Sequence, residues 1–470
     1  MTAVRDLDAL IKAYDIRGVV PQQLDSDIAR AVGTAFVEVL GITTAAGGPG
    51  AVVVGHDMRP SGPDLVAAFA AGATAAGVNV IEIGLCSTDG LYFASGSLGL
   101  PGAMFTASHN PAQYNGIKLC RAGAAPVGQE SGLREIRDLL AAGLIDSPAP
   151  TVDQPGVVSE QDMLTAYAQF LRDLVPLTGR SLRVVIDAGN GMGGFTVPAV
   201  LGDAAGLAPL PLDIVPMYFE LDGSFPNHEA NPIELANLVD LQARVVAEKA
   251  DIGLAFDGDA DRCFVVDETG RVVNPSTLTA LIAVRELARN PGATIIHNLI
   301  TSHSVPEIVA EHGGVPLRTR VGHSFIKAEM ARTGAIFGGE HSGHFYFSDF
   351  WNADSGMLAA MHALAALSEA PAGTALSSLL GDYERYVASG EINTVVSDAA
   401  ASVAAVREHF GSRGYQLDEL DGLTVDAGTW WFNVRASNTE PLLRLNVEGA
   451  TQADMQAARD EALSVIGGAQ

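Results

Sequence analysis

Short runs rich in valine and isoleucine alternate with alanine-rich stretches of helical period, and this alternation constrains the fold more than any other feature of the chain. AVVVGHD (51–57) precedes the helical GPDLVAAFAAGATAAG (62–77), VNVIEIG (78–84) follows, and GAMFTAS ends at Ser108. Strand, helix and strand in this order predict parallel strands with helices packed on their faces. Ligands of such sheets collect at the carboxyl ends of the strands, which is where Ser108 falls.

The proline-rich polar stretch DSPAPTVDQPG (146–156) reads as a linker, and LRVVIDAGNGMGG (182–194) restarts the strand-to-loop pattern. A further restart surrounds ADIGLAFDGDADRCFVVDE (250–268), where two apolar strands flank a polar hairpin or crossover. A third unit runs through ATIIHNLI, LRTRVGHSF and AIFGGEHSGHFYF to an alanine-rich helix ending near Leu367, with SEAPAGT as the next joint. Beyond it, WWFNVRASN and PLLRLNVEG are neighbouring strands without a crossover helix, which predicts an antiparallel α+β domain. The expected fold is α/β: three consecutive α/β domains with mixed sheets over residues 1–150, 151–256 and 257–372, then a C-terminal α+β domain over 373–470.

With 28 basic and 55 acidic residues the formal charge is −27, which repels nucleic acid and anionic membranes and argues against either as a partner. A small phosphorylated substrate stays compatible, because a few arginines converging on one site reverse the local potential. The N-terminal MTAVRDLDALIKAYDIRG is broken by charges and contains no signal-peptide core, and the most hydrophobic helical stretch, GMLAAMHALAAL, is too short to span a bilayer. Cys86, Cys120 and Cys263 form no CxxC pair, so neither a disulfide framework nor a zinc site is expected. The expected location is the cytoplasm.

FDGDADR places Asp257, Asp259 and Asp261 at alternate positions directly after an apolar strand. Three carboxylates so close repel unless a cation neutralises them, and hard oxygen ligands select magnesium, calcium or manganese. An EF-hand does not fit: its sixth position would be Arg262 instead of glycine, and the flanks read as strands. Magnesium fits better, since it takes a few carboxylates and completes its shell with phosphate or water. GNGMGG (189–194) matches the dinucleotide pattern, with Asp213 at a tolerable distance, but the proline in the following FTVPAVLGD makes a poor crossover helix and favours a structural glycine turn. No GxxxxGK[ST] loop is present.

RASNTEP (435–441) gathers Arg435, Ser437, Asn438 and Thr439, donors suited to a phosphate dianion, although a hydrogen-bonded turn explains the motif equally well. GGEHSGH (338–344) offers Glu340, Ser342 and His344, suited to sugar hydroxyls. Ser108 and His109 in TASHNP could form a hydrolase pair, but no GxSxG elbow is present and adjacent side chains align poorly for a triad. A serine at a strand end beside a metal and basic side chains is better placed to hold a phosphoryl group.

TASHNP, DGDADR, GEHSGH and RASNTEP in this order, with the opening KAYDIRG, resemble the α-D-phosphohexomutases over nearly the whole chain. The residues of SNTEP and DGDAD are similar to the phosphomannomutase/phosphoglucomutase branch, whereas phosphoglucosamine mutases usually show a glycine before TEP and another inside the aspartate loop. The resemblance implies four domains around a central cleft, with Ser108 as the phosphoserine and one Mg2+ per chain bound by Asp257, Asp259, Asp261 and Ser108. His109, Lys118, Arg262, Arg17 and Tyr14 would surround the transferring group. Glu340, Ser342 and Gly322 would contact the sugar, and Arg435, Ser437, Asn438 and Thr439 its phosphate.

The implied activity is interconversion of mannose 6-phosphate and mannose 1-phosphate, with the glucose phosphates also accepted. It passes through a hexose 1,6-bisphosphate that also acts as activator. His344 and then His323 are the candidates for the base. Many members carry a lysine in the region that here reads TIIHNLITSH, where His297, Asn298 or His303 would have to substitute. The alternatives are a phosphoglucosamine mutase and, in a different class, a magnesium-dependent sugar phosphatase. Nothing in the motifs bears on oligomeric state.

Overall fold

The computed structural model describes residues 6–43, 50–147, 152–436 and 442–468. The chain forms two compact units, Met1–Val273 with Ser342–Ser377, and Asn274–His341 with Ser378–Gln470. It is of α/β class, with three α/β sheets followed by a C-terminal antiparallel sheet.

In the first unit one sheet has the order Ile16–Val19, Tyr114–Arg121, Gly102–Phe105, Ala51–His56, Asn79–Leu85, Val158–Glu160. Ala51–His56 runs parallel to both of its neighbours, while Tyr114–Arg121 is antiparallel to Gly102–Phe105 and to Ile16–Val19. Its central strands bury Val52, Val53, Val54 and Phe105 completely, as expected of strands covered on both faces. Helices Ser26–Leu40 and Gly62–Ala75 lie against each other so closely that a Cβ on Gly33 would sit 2.2 Å from the Phe69 carbonyl oxygen. Just past the proline-rich stretch, Val158–Glu160 pairs in parallel with Asn79–Leu85 and extends this sheet.

The second sheet of this unit has the order Val272–Val273, Cys263–Asp267, Ile252–Phe256, Leu182–Asp187, Leu212–Met217. Ile252–Phe256 and Cys263–Asp267 are antiparallel, so the acidic loop between them is the tip of a hairpin. Leu182–Asp187 and Leu212–Met217 are parallel, and Gly193–Val200 between them is an α-helix with Pro198 inside it. This corrects the expectation of a poor crossover helix. Pro198 removes only one amide donor near the end of a short helix, and burial of Thr196, Val197, Ala199 and Val200 offsets that loss. Phe345–Phe347 and Ala353–Asp354 form a small hairpin before the helix Gly356–Glu369.

In the second unit Val315–Thr319, Thr294–Asn298 and Phe337–Gly339 run parallel in that order. The last sheet, in the order Val387–Val395, Leu442–Gly449, Trp430–Ala436, Leu423–Asp426, Gln416–Asp418, is antiparallel throughout. Phe410 of the helix Ala399–Gly411 and Ile466 of the helix Gln452–Gly468 are fully buried with Phe432 and Leu445 in its core. No described helix is long and apolar enough to cross a membrane.

Candidate active site

Ser108 lies three residues beyond the end of strand Gly102–Phe105, at a φ of 49°, a left-handed conformation that a serine adopts only at a cost. Its amide donates to Thr106 Oγ1 at 2.9 Å, and its carbonyl accepts from the Arg59 guanidinium at 2.9 Å. Arg59 is almost fully buried and also donates to the carbonyls of Asn110, Pro111 and Tyr114, so one planar fork ties the whole serine loop together. The charge of that fork is balanced by Asp57 at 3.2 Å.

The hairpin tip carries the three aspartates to the same place. Ser108 Oγ donates to Asp257 Oδ2 at 2.8 Å, and Arg262 donates its backbone amide and its Nε to the two oxygens of the same carboxylate. Lys118 on strand Tyr114–Arg121 donates to Asp259 at 2.7 Å and to Asp261 at 2.6 Å. The carboxylates of Asp257, Asp259 and Asp261 lie within 4.8 Å of one another, all buried. The loop packs tightly enough that a Cβ on Gly258 would stand 2.3 Å from the Ser108 carbonyl oxygen.

Burial pushes the Asp257 carboxyl well above the usual range, with Arg262 opposing that shift and Asp261 and Asp259 adding to it. Burial pushes Asp259 up as well, yet the Lys118 ammonium more than offsets it and holds this carboxyl far below the usual range. Asp259 Oδ1 and Asp261 Oδ1 are buried and accept no hydrogen bond. Crowded hard oxygens with two uncommitted acceptors fit a divalent cation of the magnesium type.

His109 Nδ1 accepts from Arg262 at 2.6 Å and lies 3.1 Å from Ser108 Oγ. Burial, reinforced by the charges of Arg262 and Arg17, keeps its imidazole neutral, well below the ordinary histidine range. Because the Nδ1 lone pair already serves Arg262, it is poorly placed to take a proton from Ser108. Arg17 bonds Asn110 of the serine loop and Asp15, with Tyr14 half-buried three residues before it. His344 completes this group: its Nε2 is 3.7 Å from Asp261 Oδ1 and its Nδ1 is 2.9 Å from Ser342 Oγ.

The second unit holds the rest of the described candidates. Glu340 is buried and accepts from the Gly322 amide at 3.1 Å and from Asn298 Nδ2 at 3.2 Å. His323 opens the helix His323–Thr333, and its side chain lies outside the described residues. Arg435 pairs with Glu391 at 3.3 Å while its buried Nε makes no hydrogen bond. Ser437, Asn438 and Thr439 lie outside the described residues.

Four family descriptions match the chain in order. Residues 8–143 match phosphoglucomutase/phosphomannomutase alpha/beta/alpha domain I, 164–270 domain II, 274–386 domain III, and 391–465 the C-terminal domain. The chain belongs to the phosphoglucomutase/phosphomannomutase family. It is thus an α-D-phosphohexomutase, an intramolecular phosphotransferase of the isomerase class. It is 41% identical over 458 residues to a phosphohexose mutase of Xanthomonas campestris pv. campestris, covering 96% of this chain and 98% of that one. It is 38% identical over 451 residues to a phosphomannomutase of Salmonella montevideo, covering 95% and 96%. Among solved structures, a phosphoglucomutase/phosphomannomutase family protein of Burkholderia thailandensis matches with a TM-score of 0.85 at 34% identity, covering 98% of this chain and 97% of that one.

Several contacts in this phosphohexomutase site escape motif reading. Arg59 and Thr88 belong to none of the motifs read from the sequence, yet Arg59 holds the serine loop and Thr88 Oγ1 donates to Asp259 Oδ2 at 2.6 Å. The GNGMGG turn has a packing role, since a Cβ on Gly191 would stand 2.6 Å from the Gly258 carbonyl oxygen and the Met192 amide donates to that oxygen at 2.9 Å. Asp213, a possible ribose ligand, is instead paired with Arg183 at 2.7 Å. Of the three residues considered in place of the lysine, Asn298 touches Glu340, while His303 stacks on Trp431 with ring centroids 5.0 Å apart.

Proposed function

We propose that this phosphohexose mutase interconverts mannose 6-phosphate and mannose 1-phosphate, and accepts the glucose phosphates as well, through a phosphorylated Ser108. The observation that carries the reading is the 2.8 Å contact between Ser108 Oγ and Asp257 inside a buried cluster of three carboxylates. Asp257, Asp259 and Asp261, with an oxygen of the phosphoserine, would hold one Mg2+. When bound, the ion draws charge from the transferring phosphoryl group and lowers the barrier electrostatically.

The phosphoryl group leaves Ser108 Oγ and bonds to the free hydroxyl of the sugar phosphate, whose proton passes to His344, with His323 as the second candidate base. Lys118, Arg262 and Arg17 carry positive charge around the group, and neutral His109 offers it a ring N–H. The resulting hexose 1,6-bisphosphate turns over, and its other phosphoryl group returns to Ser108. The same bisphosphate serves as activator by phosphorylating a bare Ser108. Arg435 with Ser437, Asn438 and Thr439 would hold the phosphate that is not reacting, Glu340, Ser342 and Gly322 the sugar, and Tyr14 would bind the substrate beside Arg17 at the transferring group. A cytoplasmic location belongs to the same reading, as does the absence of a nucleic-acid or membrane partner.

Turnover on mannose, glucose and glucosamine phosphates with a trace of hexose bisphosphate tests the substrate class, with mannose phosphates expected to lead. Ser108→Ala should abolish turnover and still bind sugar phosphate; full activity in that variant refutes the nucleophile. Stoichiometric release of inorganic phosphate without bisphosphate dependence would show a phosphatase instead.

A further inference from the structure

Thr88 stands first in the helix Thr88–Leu98, capped by Ser87, and it is completely buried. It reaches across 171 residues of sequence to the acidic hairpin twice: its amide donates to the Asp259 carbonyl at 3.0 Å, and its Oγ1 donates to Asp259 Oδ2 at 2.6 Å. Lys118 Nζ donates to the same oxygen at 2.7 Å. Both donors thus fall on Oδ2, and Oδ1 is left buried without a hydrogen bond.

The two donors differ in stiffness. Lys118 sits on a long stem and divides its ammonium between Asp259 and Asp261, so by itself it leaves the rotation of either carboxylate loosely defined. Thr88 is β-branched, with few rotamers, and its backbone is fixed. The next residue, Asp89, is also fully buried and accepts from three hydroxyls: that of Ser87, that of Tyr167 at 2.8 Å and that of Ser355 at 2.6 Å. These come from the loop before the helix, from the helix Leu164–Leu174 and from the cap of the helix Gly356–Glu369. The Ser87–Asp89 segment is a rigid anchor behind the hairpin tip.

We propose that Thr88 is a positioning residue for the divalent cation: by occupying Asp259 Oδ2 it fixes the carboxylate rotation and presents Oδ1 to the ion. The inference rests on the reading of Asp257, Asp259 and Asp261 as the cation site. Hydrogen bonds to metal-ligating carboxylates set the ligand's orientation, and their loss typically weakens metal affinity by about 10–100-fold.

The test is calorimetric titration of the full-length protein with Mg2+, and with Mn2+ as a second probe, for the parent chain, Thr88→Val and Thr88→Ser. Thr88→Val keeps the shape and the backbone bond and loses only the hydroxyl; its Kd for Mg2+ should rise about 10–100-fold, and Thr88→Ser should restore most of the affinity. The metal-induced rise in Tm should shrink in Thr88→Val and return in Thr88→Ser, which a purely structural role would not produce. A Kd in Thr88→Val within twofold of the parent overturns the proposal. Thr88→Ala is scored by the same criterion if the valine variant does not fold. A parent chain that binds neither ion overturns the cation-site reading itself, and the proposal with it.

Discussion

The Arg59 guanidinium donates to the carbonyl oxygen of Ser108 at 2.9 Å, from a side chain that sees essentially no solvent. Ser108 has a φ of 49°, a conformation that costs an L-residue about 1–2 kcal/mol. The fork that holds it is itself held, by Asp57 on one edge and by four carbonyls of one loop on the others. The serine is therefore aimed by a rigid, charge-balanced clamp that makes no contact with its hydroxyl.

Arg59→Lys keeps the charge and loses the planar fork, so three ammonium protons cannot serve four carbonyls and a carboxylate together. Hydrogen bonds from charged donors contribute about 1.5–3 kcal/mol each, and the variant should lose about 2–4 kcal/mol of unfolding free energy. Arg59→Met also strands the buried Asp57 and should cost more, about 3–5 kcal/mol from the broken pair alone. Urea unfolding measures both. A lysine variant whose curve overlays the parent's would show that the fork is dispensable.

Gly258→Ala tests the approach of the acidic hairpin to the serine loop. Its new Cβ would stand 2.3 Å from the Ser108 carbonyl oxygen, a backbone atom that cannot rotate away, so hairpin and serine must separate. Displacements of about 1 Å at a reacting centre cost on the order of 10²-fold in rate. We expect kcat to fall by about that factor with KM for the sugar phosphate changed much less. A drop in KM-side affinity with kcat intact would place the strain elsewhere.

The legible part of this site is the part written contiguously. FDGDADR places three carboxylates and an arginine within seven residues between two strands, and the hairpin brings all four to one point. TASHNP follows a strand end, where parallel sheets present ligands, and the structure sets Ser108 beside that hairpin. What stayed hidden is long-range. Arg59 and Ser108 are separated by 49 positions, Thr88 and Asp259 by 171, and no local pattern pairs them. Arg59 lies in a short polar segment between a strand and a helix, and Thr88 is the first residue of a helix capped by Ser87, so neither local setting signals the distant contact. Pro198 misleads for the converse reason: propensity speaks against a helix that tertiary burial stabilises.

His297 predicts how stability responds to acid. Burial pushes its imidazole down from 6.5 to about 4, with repulsion from Arg318 and His303 adding to the shift, although its ring Nδ1 lies 3.2 Å from the Asn298 carbonyl. The unfolded chain binds a proton near pH 6.5 that the folded chain refuses until about pH 4. The contribution is therefore complete above pH 6.5 and is lost progressively as pH falls to about 4, where it amounts to about 3 kcal/mol at 1.36 kcal/mol per unit. His297→Asn has no titrating ring and should flatten the acid side of the stability profile by about that amount. Urea unfolding of parent and variant at half-unit steps between pH 4 and 7 measures the difference. Parallel profiles across that window would mean that His297 takes up its proton in the folded protein as readily as in the unfolded one.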